Sequence, residues 1–298
     1  MTARALLVLC LIVSNLFAGE THEIRLLRPV KAGDRFDMSA KVAYEDSMKT
    51  SFDGKEVESN ATSAACRIAG TLTVVAVTTK GLPSAMRLKV ASAECLNAGQ
   101  PAGFFKEGDE LSIRRDEPEN ETQVNGEAAD DVQAQMIESL LSVQAEDEAS
   151  DEDIFGTKDK VAVGAEWPVN GKAAVSSLER SGVKGLKPEG VSGRAKFVSI
   201  GEFGKKPAFS IRADAKIDGK GVTLSNLPEN VTGKTFHSEI SVEMDVPVDS
   251  ASTAGRTKGM AKMEMDAAGT EEFEGRKIDV AVKIERRVAS EIAATPVK

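Results

Sequence analysis

Every-other-residue alternation of apolar and polar side chains constrains this chain more than any other feature. Phe36, Met38, Ala40, Val42 and Tyr44 alternate with Asp37, Ser39, Lys41 and Ala43. Phe236, Ile240, Val242, Met244 and Val246 alternate with His237, Glu239, Ser241, Glu243 and Asp245, and Ile278, Val280, Val282 and Ile284 with Asp279, Ala281, Lys283 and Glu285. Strand side chains point to opposite faces in turn, so such segments bury one face and wet the other, as in antiparallel sheets. The spacing predicts strands near residues 22–28, 34–49, 56–78, 85–96, 109–115, 172–180, 193–203, 207–217, 235–247, 257–267 and 276–288. The expected fold is therefore mainly β, in curved antiparallel sheets that are half-barrel or sandwich-like, with one amphipathic helix mid-chain.

Asp53-Gly54, Asn125-Gly126, Asn170-Gly171 and Asp218-Gly219 supply residue pairs that tolerate positive φ and mark turns. The helix is read between Glu127 and Gln144, where Val132, Met136, Leu140 and Val143 fall at helical spacing and Ile137 and Leu141 widen the stripe. Asp130 and Asp131 suit its start, whereas Glu146, Asp147 and Glu148 oppose the dipole at its end. An acidic, solvated loop is expected to follow, running to Asp153.

Helix and loop, residues 127–157, separate a first β-rich half (20–126) from a second (158–298). Gly70, Val74, Val75, Val77, Gly81, Ala85, Met86 and Leu88 align with Gly193, Phe197, Val198, Ile200, Gly204, Ala208, Phe209 and Ile211 at a constant offset of 123 residues. Such matches arise easily between alternating strands, so a duplication and chance similarity both remain open.

Ahead of the β pattern, Arg4 precedes an apolar run from Ala5 to Val13, and Ala18-Gly19 supplies a small-residue cleavage site. This is the layout of a signal peptide over residues 1–19. The run falls short of the ~20 residues needed to span a bilayer, so no transmembrane segment is expected in the mature chain. Secretion or delivery to the periplasm follows, after cleavage near Ala18-Gly19. Cys10 lies within the leader, leaving Cys66 and Cys95 as a pair in an oxidising compartment. Across a hairpin turning at Lys80-Gly81 the two cysteines face each other, and a disulfide is expected. The apolar pattern nearer the turn prefers a register one residue away, with Leu72 opposite Val90 and Val74 opposite Leu88, which a β-bulge would reconcile.

The formal charge of −9 without a basic cluster argues against nucleic acid, whose affinity comes chiefly from phosphate neutralisation. The single tryptophan, Trp167, reads as a core anchor rather than a ligand platform. His22 and His237 lie in no metal-ligand or triad spacing, and no Gly-x-Ser-x-Gly elbow or phosphate loop is present. Asp147, Asp151 and Asp153 lack the spacing of a calcium loop. No catalytic residue, metal or cofactor is assigned, and a non-enzymatic role is expected.

The leader, the Gly-Asp starts of strands at Gly33-Asp34 and Gly108-Asp109, the mid-chain helix and Val163-Gly164-Ala165-Glu166-Trp167 together resemble uncharacterised secreted bacterial proteins of β-rich, duplicated organisation. That resemblance implies compartment and fold type only. The architecture also resembles periplasmic lipoprotein carriers, in which a curved antiparallel sheet wraps an apolar concavity. This likeness carries over no site residues.

From the alternation itself, Val42, Tyr44, Leu72, Val74, Val242 and Met244 are the residues that would line a concave sheet face. They are expected either to accept a lipid or apolar small molecule or to form an ordinary filled core. The second arrangement implies a structural or protein-interaction module of the cell envelope, with an envelope protein as partner.

Overall fold

Wherever the alternation is sustained, the chain forms hydrogen-bonded strand. A computed structural model describes residues 19–116, 119–225, 227–228, 230–273 and 275–297. Apart from Gly19, the expected leader lies outside the described residues. In chain order the strands are β1 (His22–Glu23), β2 (Arg35–Phe52), β3 (Lys55–Val77), β4 (Pro83–Asn97), β5 (Gln100–Ala102), β6 (Glu110–Asp116), β7 (Glu119–Val124), β8 (Glu127–Ala128) and β9 (Lys160–Val161). They continue as β10 (Glu166–Pro168), β11 (Val183–Lys184), β12 (Val191–Phe203), β13 (Lys206–Gly219), β14 (Thr223–Leu224), β15 (Val231–Pro247), β16 (Gly255–Phe273) and β17 (Arg276–Pro296). Three helices join them, α1 (Asp131–Leu140), α2 (Asp151–Phe155) and α3 (Gly171–Arg180).

One antiparallel sheet of 13 strands dominates, in the order β10-β12-β13-β15-β16-β17-β2-β3-β4-β6-β7-β8, with β5 beside β4. The C-terminal β17 pairs with β2 from Val280 opposite Phe52 to Pro296 opposite Phe36. Strands from both ends of the chain thus share one sheet, which does not close into a barrel.

The helices and loops cover one face. Beneath α1, Met136, Ile137 and Leu141 pack with Leu88, Leu111 and Ile113, all almost without solvent contact. Each such large side chain contributes about 1.5–3 kcal/mol on burial. A second cluster joins Val175 and Leu178 of α3 to Ile217, Phe236 and Met265. In a third, Ile24, Leu26 and Trp167 pack with Phe197 and Phe209. Trp167 is a core anchor, and its Nε1–H donates to the Phe155 carbonyl at 2.8 Å.

Several expectations are corrected. Residues 172–180 form α3, not a strand, because Asn170 is a helix cap whose side chain accepts from the Ala173 N–H at 3.2 Å. Downstream of it, Ala174, Val175 and Leu178 make a helical stripe. Of residues 22–28 only His22–Glu23 pair as strand. Beyond them the Glu152 carboxylate takes the Leu26 and Leu27 N–H groups that a neighbouring strand would have used.

The helix expected over 127–144 is shorter at both ends. Asn125 and Gly126, at φ 54° and 83°, turn β7 into β8, and the Asp130–Gln133 capping box starts α1 only after that. The strand β7 was not foreseen.

The acidic segment is tied down rather than merely solvated. Ser150 and Asp153 form a second capping box, Glu146 accepts from the Thr79 N–H at 3.0 Å, and Asp147 pairs with Arg180. Asp218-Gly219 forms the last two residues of β13 rather than a turn.

The cysteines face each other and are bonded, with an S–S distance of 2.04 Å. A bulge does separate them from the turn, but in the opposite sense to that expected. Ala69 faces Ser92 and Gly70 faces Val90, leaving Ala91 of β4 as the extra residue. Leu72 therefore meets Leu88, and Val74 meets Met86. Gly70 has no room for a side chain there, since an added Cβ would lie 2.2 Å from the Lys89 oxygen. A further pair of bulges falls at Val75 and Val198, two residues matched in the sequence alignment.

Replacing Cys66 and Cys95 by alanine should lower stability by roughly 3.6 kcal/mol for a separation of 29 residues. Urea titration followed by Trp167 fluorescence measures it, with the strand signal in circular dichroism retained. Asn170→Ala should cost about 1 kcal/mol through the lost cap; an unchanged urea midpoint would count against the capping role.

Candidate functional site

The sheet face away from the helices carries the polar phase of the alternation, and one groove of about 700 Å³ is set into it. β2, β3, β4, β15, β16 and β17 all line this groove, so the sheet is concave here. Strand register arranges its walls in two rows across the strands. In one, Leu96, Ala65, Ala43, Ala289, Met260 and Ser241 are successive cross-strand neighbours. In the other, Glu94, Arg67, Lys41, Glu291, Lys258 and Glu243 follow one another in the same way. Val42, Cys66, Gly259 and Ser290, which lie between the rows in sequence, contribute to the floor.

Three alanines form the centre of the apolar row, flanked by Leu96 on one side and Met260 on the other, with Ser241 beyond Met260. Met260 is 50% and Leu96 42% exposed, so with the alanines between them they present a contiguous apolar strip to solvent. In the charged row Lys41 pairs with Glu291 at 3.4 Å and Arg67 approaches Glu94 at 3.9 Å. Its three cations and three anions cancel in sum, leaving a locally neutral wall on an acidic protein. Exposed pairs of this kind add little stability, so their main effect is on what can approach.

Elsewhere on the same sheet, His237 Nδ1 lies 2.7 Å from Asp218 and Nε2 3.5 Å from Glu239. The hydrogen bond to Asp218 raises the imidazole above its ordinary value of 6.5, against a smaller opposing effect of desolvation. On the covered face, burial pushes the Tyr44 phenol up, and Asp46 and Asp130 add to the shift.

The six residues read from sequence as a concave lining are distributed over the covered face. Val42 and Tyr44 belong to the cluster under α1, and Leu72 packs against it. Val74 is buried, Met244 belongs to the cluster around Trp167, and Val242 packs against that cluster. Only Val42 also borders the groove. Ala43, Ala65, Leu96, Met260 and Ala289 were missed. Ala43 stands in the sequence as an apolar residue within a polar phase, but only pairing between distant strands shows that it joins a continuous apolar row.

Among the described residues no group of three or more histidine, cysteine or acidic side chains is placed to hold a metal ion. No described helix is long and apolar enough to cross a membrane.

Compared with known proteins, the chain matches no family model and no curated protein. Among solved structures it is similar to MucB in complex with MucA(peri), at 7% identity and a TM-score of 0.14, over 81% of this chain and 87% of that one. A second is the MucA/MucB complex of Pseudomonas aeruginosa, at 8% identity and a TM-score of 0.14, over 82% and 88%. Superposition at that level is not a shared fold, and nothing is transferred from it.

Stability gained from His237 is present in full below pH 6.5 and is lost as pH rises through the raised folded value. His237→Gln should therefore be more destabilising at pH 5 than at pH 9 in urea titrations. An equal penalty at both would exclude the coupling to Asp218.

Proposed function

We propose that this protein is an exported, non-enzymatic β-sheet module of the cell envelope that holds a protein partner across the groove of its open sheet face. The observation that carries this reading is the contrast between the faces. The covered face is packed with side chains at or near zero exposure, whereas the open face presents an apolar row beside a charge-balanced one. Protein contacts combine an apolar centre with a polar rim, and the groove offers that combination. The Cys66–Cys95 disulfide suits an oxidising compartment, and the apolar run of the leader supplies the route there.

A photo-crosslinking residue at Met260 in the exported protein is expected to yield an adduct of one defined mass. Ala43→Glu should abolish that adduct while leaving the melting temperature within a degree or two, because Ala43 is exposed. An adduct indifferent to Ala43→Glu would remove the groove from the reading. N-terminal sequencing of the exported product should begin near Gly19; a retained Met1 would remove export.

A second reading, a lipid or other apolar small molecule as ligand, is favoured by the groove's volume of about 700 Å³, within the range of small-molecule sites. It predicts a co-purifying mass in native mass spectrometry that is lost on Ala43→Glu.

A further inference from the structure

β3 outruns its neighbour. β2 pairs with it from Lys55 to Thr73, but β4 begins pairing only at Ala64 opposite Asn97. There β4 ends and turns away at Ala98 and Gly99, at φ 48° and 76°. From Lys55 to Ala61 every residue of β3 is exposed, and among the described residues no strand lies along its outer side.

The direction of the free backbone groups follows from one bond. The Ala98 N–H donates to the Ser63 carbonyl at 2.8 Å, so Ser63 turns its peptide groups towards the β4 side. Alternation along an antiparallel strand then points the N–H and C=O groups of Ser59 and Ala61 outward, while those of Asn60 and Thr62 serve β2.

Exposed edges are normally guarded by charge, proline or bulges. Here the guards are gathered at the hairpin tip, as Lys55, Glu56, Glu58 and the bulge that leaves Val57 unpaired and 54% exposed. Ser59-Asn60-Ala61-Thr62-Ser63 has neither charge nor proline. Glu56 and Glu58 form no ion pair among the described residues; Glu58 only accepts from the Asn60 side-chain amide at 2.8 Å.

We propose that the β3 edge from Glu58 to Thr62 is a strand-docking site for an extended, basic segment of a partner protein. The segment adds a strand through the Ser59 and Ala61 main chain and sets a lysine or arginine against Glu56 and Glu58. A second copy of the chain fits less well. Antiparallel pairing about Asn60 would drive each Asp53-Gly54 tip alongside the other copy's Ser63 to Arg67, a position β4 already fills. The site is separate from the groove, and either can fail without the other.

The test uses the mature full chain and a fluorescein-labelled nine-residue peptide of alternating threonine and lysine, with glutamate in place of lysine as comparison. Saturable binding of the lysine peptide is expected by anisotropy, with at least tenfold weaker binding of the glutamate peptide. Ala61→Pro removes only an outward N–H and should weaken binding at least tenfold with the circular dichroism unchanged. If that variant fails to fold, amide exchange on the wild-type chain decides: the Ser59 and Ala61 amides should become protected when the peptide is added. Absence of binding, equal affinity for the folded Ala61→Pro variant, or protection confined to other strands would overturn the proposal. So would a concentration-dependent dimer in light scattering that Ala61→Pro abolishes, which would give the edge to self-pairing.

Discussion

The ladder between β17 and β2 is the interaction on which the rest of the architecture depends. It joins Arg276–Pro296 to Arg35–Phe52, the longest sequence separation of any strand pairing in the main sheet. Without it the main-sheet strands before α1 and those after α2 would be two smaller sheets. With it they share one twist and one curvature. The groove is a direct product: half of its lining strands lie on each side of that ladder, and Ala43 and Ala289 meet across it. Contacts this distant in sequence are slow to find during folding, because loop closure must precede any reward.

Once the sheet is continuous, its two faces are free to differ. One face takes α1, α3 and the N-terminal segment, which divide the apolar phase of the strands into three clusters. The helices hold their places through local devices: the Asp130–Gln133 box, the Asn170 cap, and Glu152 bridging to the Leu26 and Leu27 N–H groups. The other face carries cross-strand charges of alternating sign, as in Lys216 with Glu239 at 2.7 Å. Those pairs are exposed, so they act mainly as a solubilising surface that discourages sheets from stacking on one another. The alanine row interrupts this surface, and the exposed β3 edge interrupts the guarding of the sheet margin.

Legibility in the sequence followed the range of the physics involved. Period-two alternation was enough to place β2, β13, β15 and β17, because the burial of alternate side chains is local to each strand. Asn125-Gly126 was legible as a turn because positive φ is a property of the pair itself. Asn170-Gly171 was misread for a related reason: an asparagine that starts a turn and one that caps a helix look alike until the following residues find a surface to bury against. The Cys66–Cys95 pairing and the presence of a bulge were legible, but the sense of that bulge, with Ala91 as the extra residue, was not, since the choice between neighbouring registers depends on how Leu72 and Val74 pack with residues far away.

By itself the sequence determined that this chain is mainly antiparallel β, which residues turn inward along its strands, and that Cys66 and Cys95 oppose each other. These follow from alternation, turn chemistry and hairpin geometry, all of which act over a few residues. Only the tertiary structure decided that thirteen of the strands form one sheet, that the inward residues divide among three clusters, and that Ala43, Ala289 and Met260 adjoin. Those outcomes rest on pairings between segments more than two hundred residues apart, such as Val42 with Ser290, and no local pattern encodes the partner of a strand.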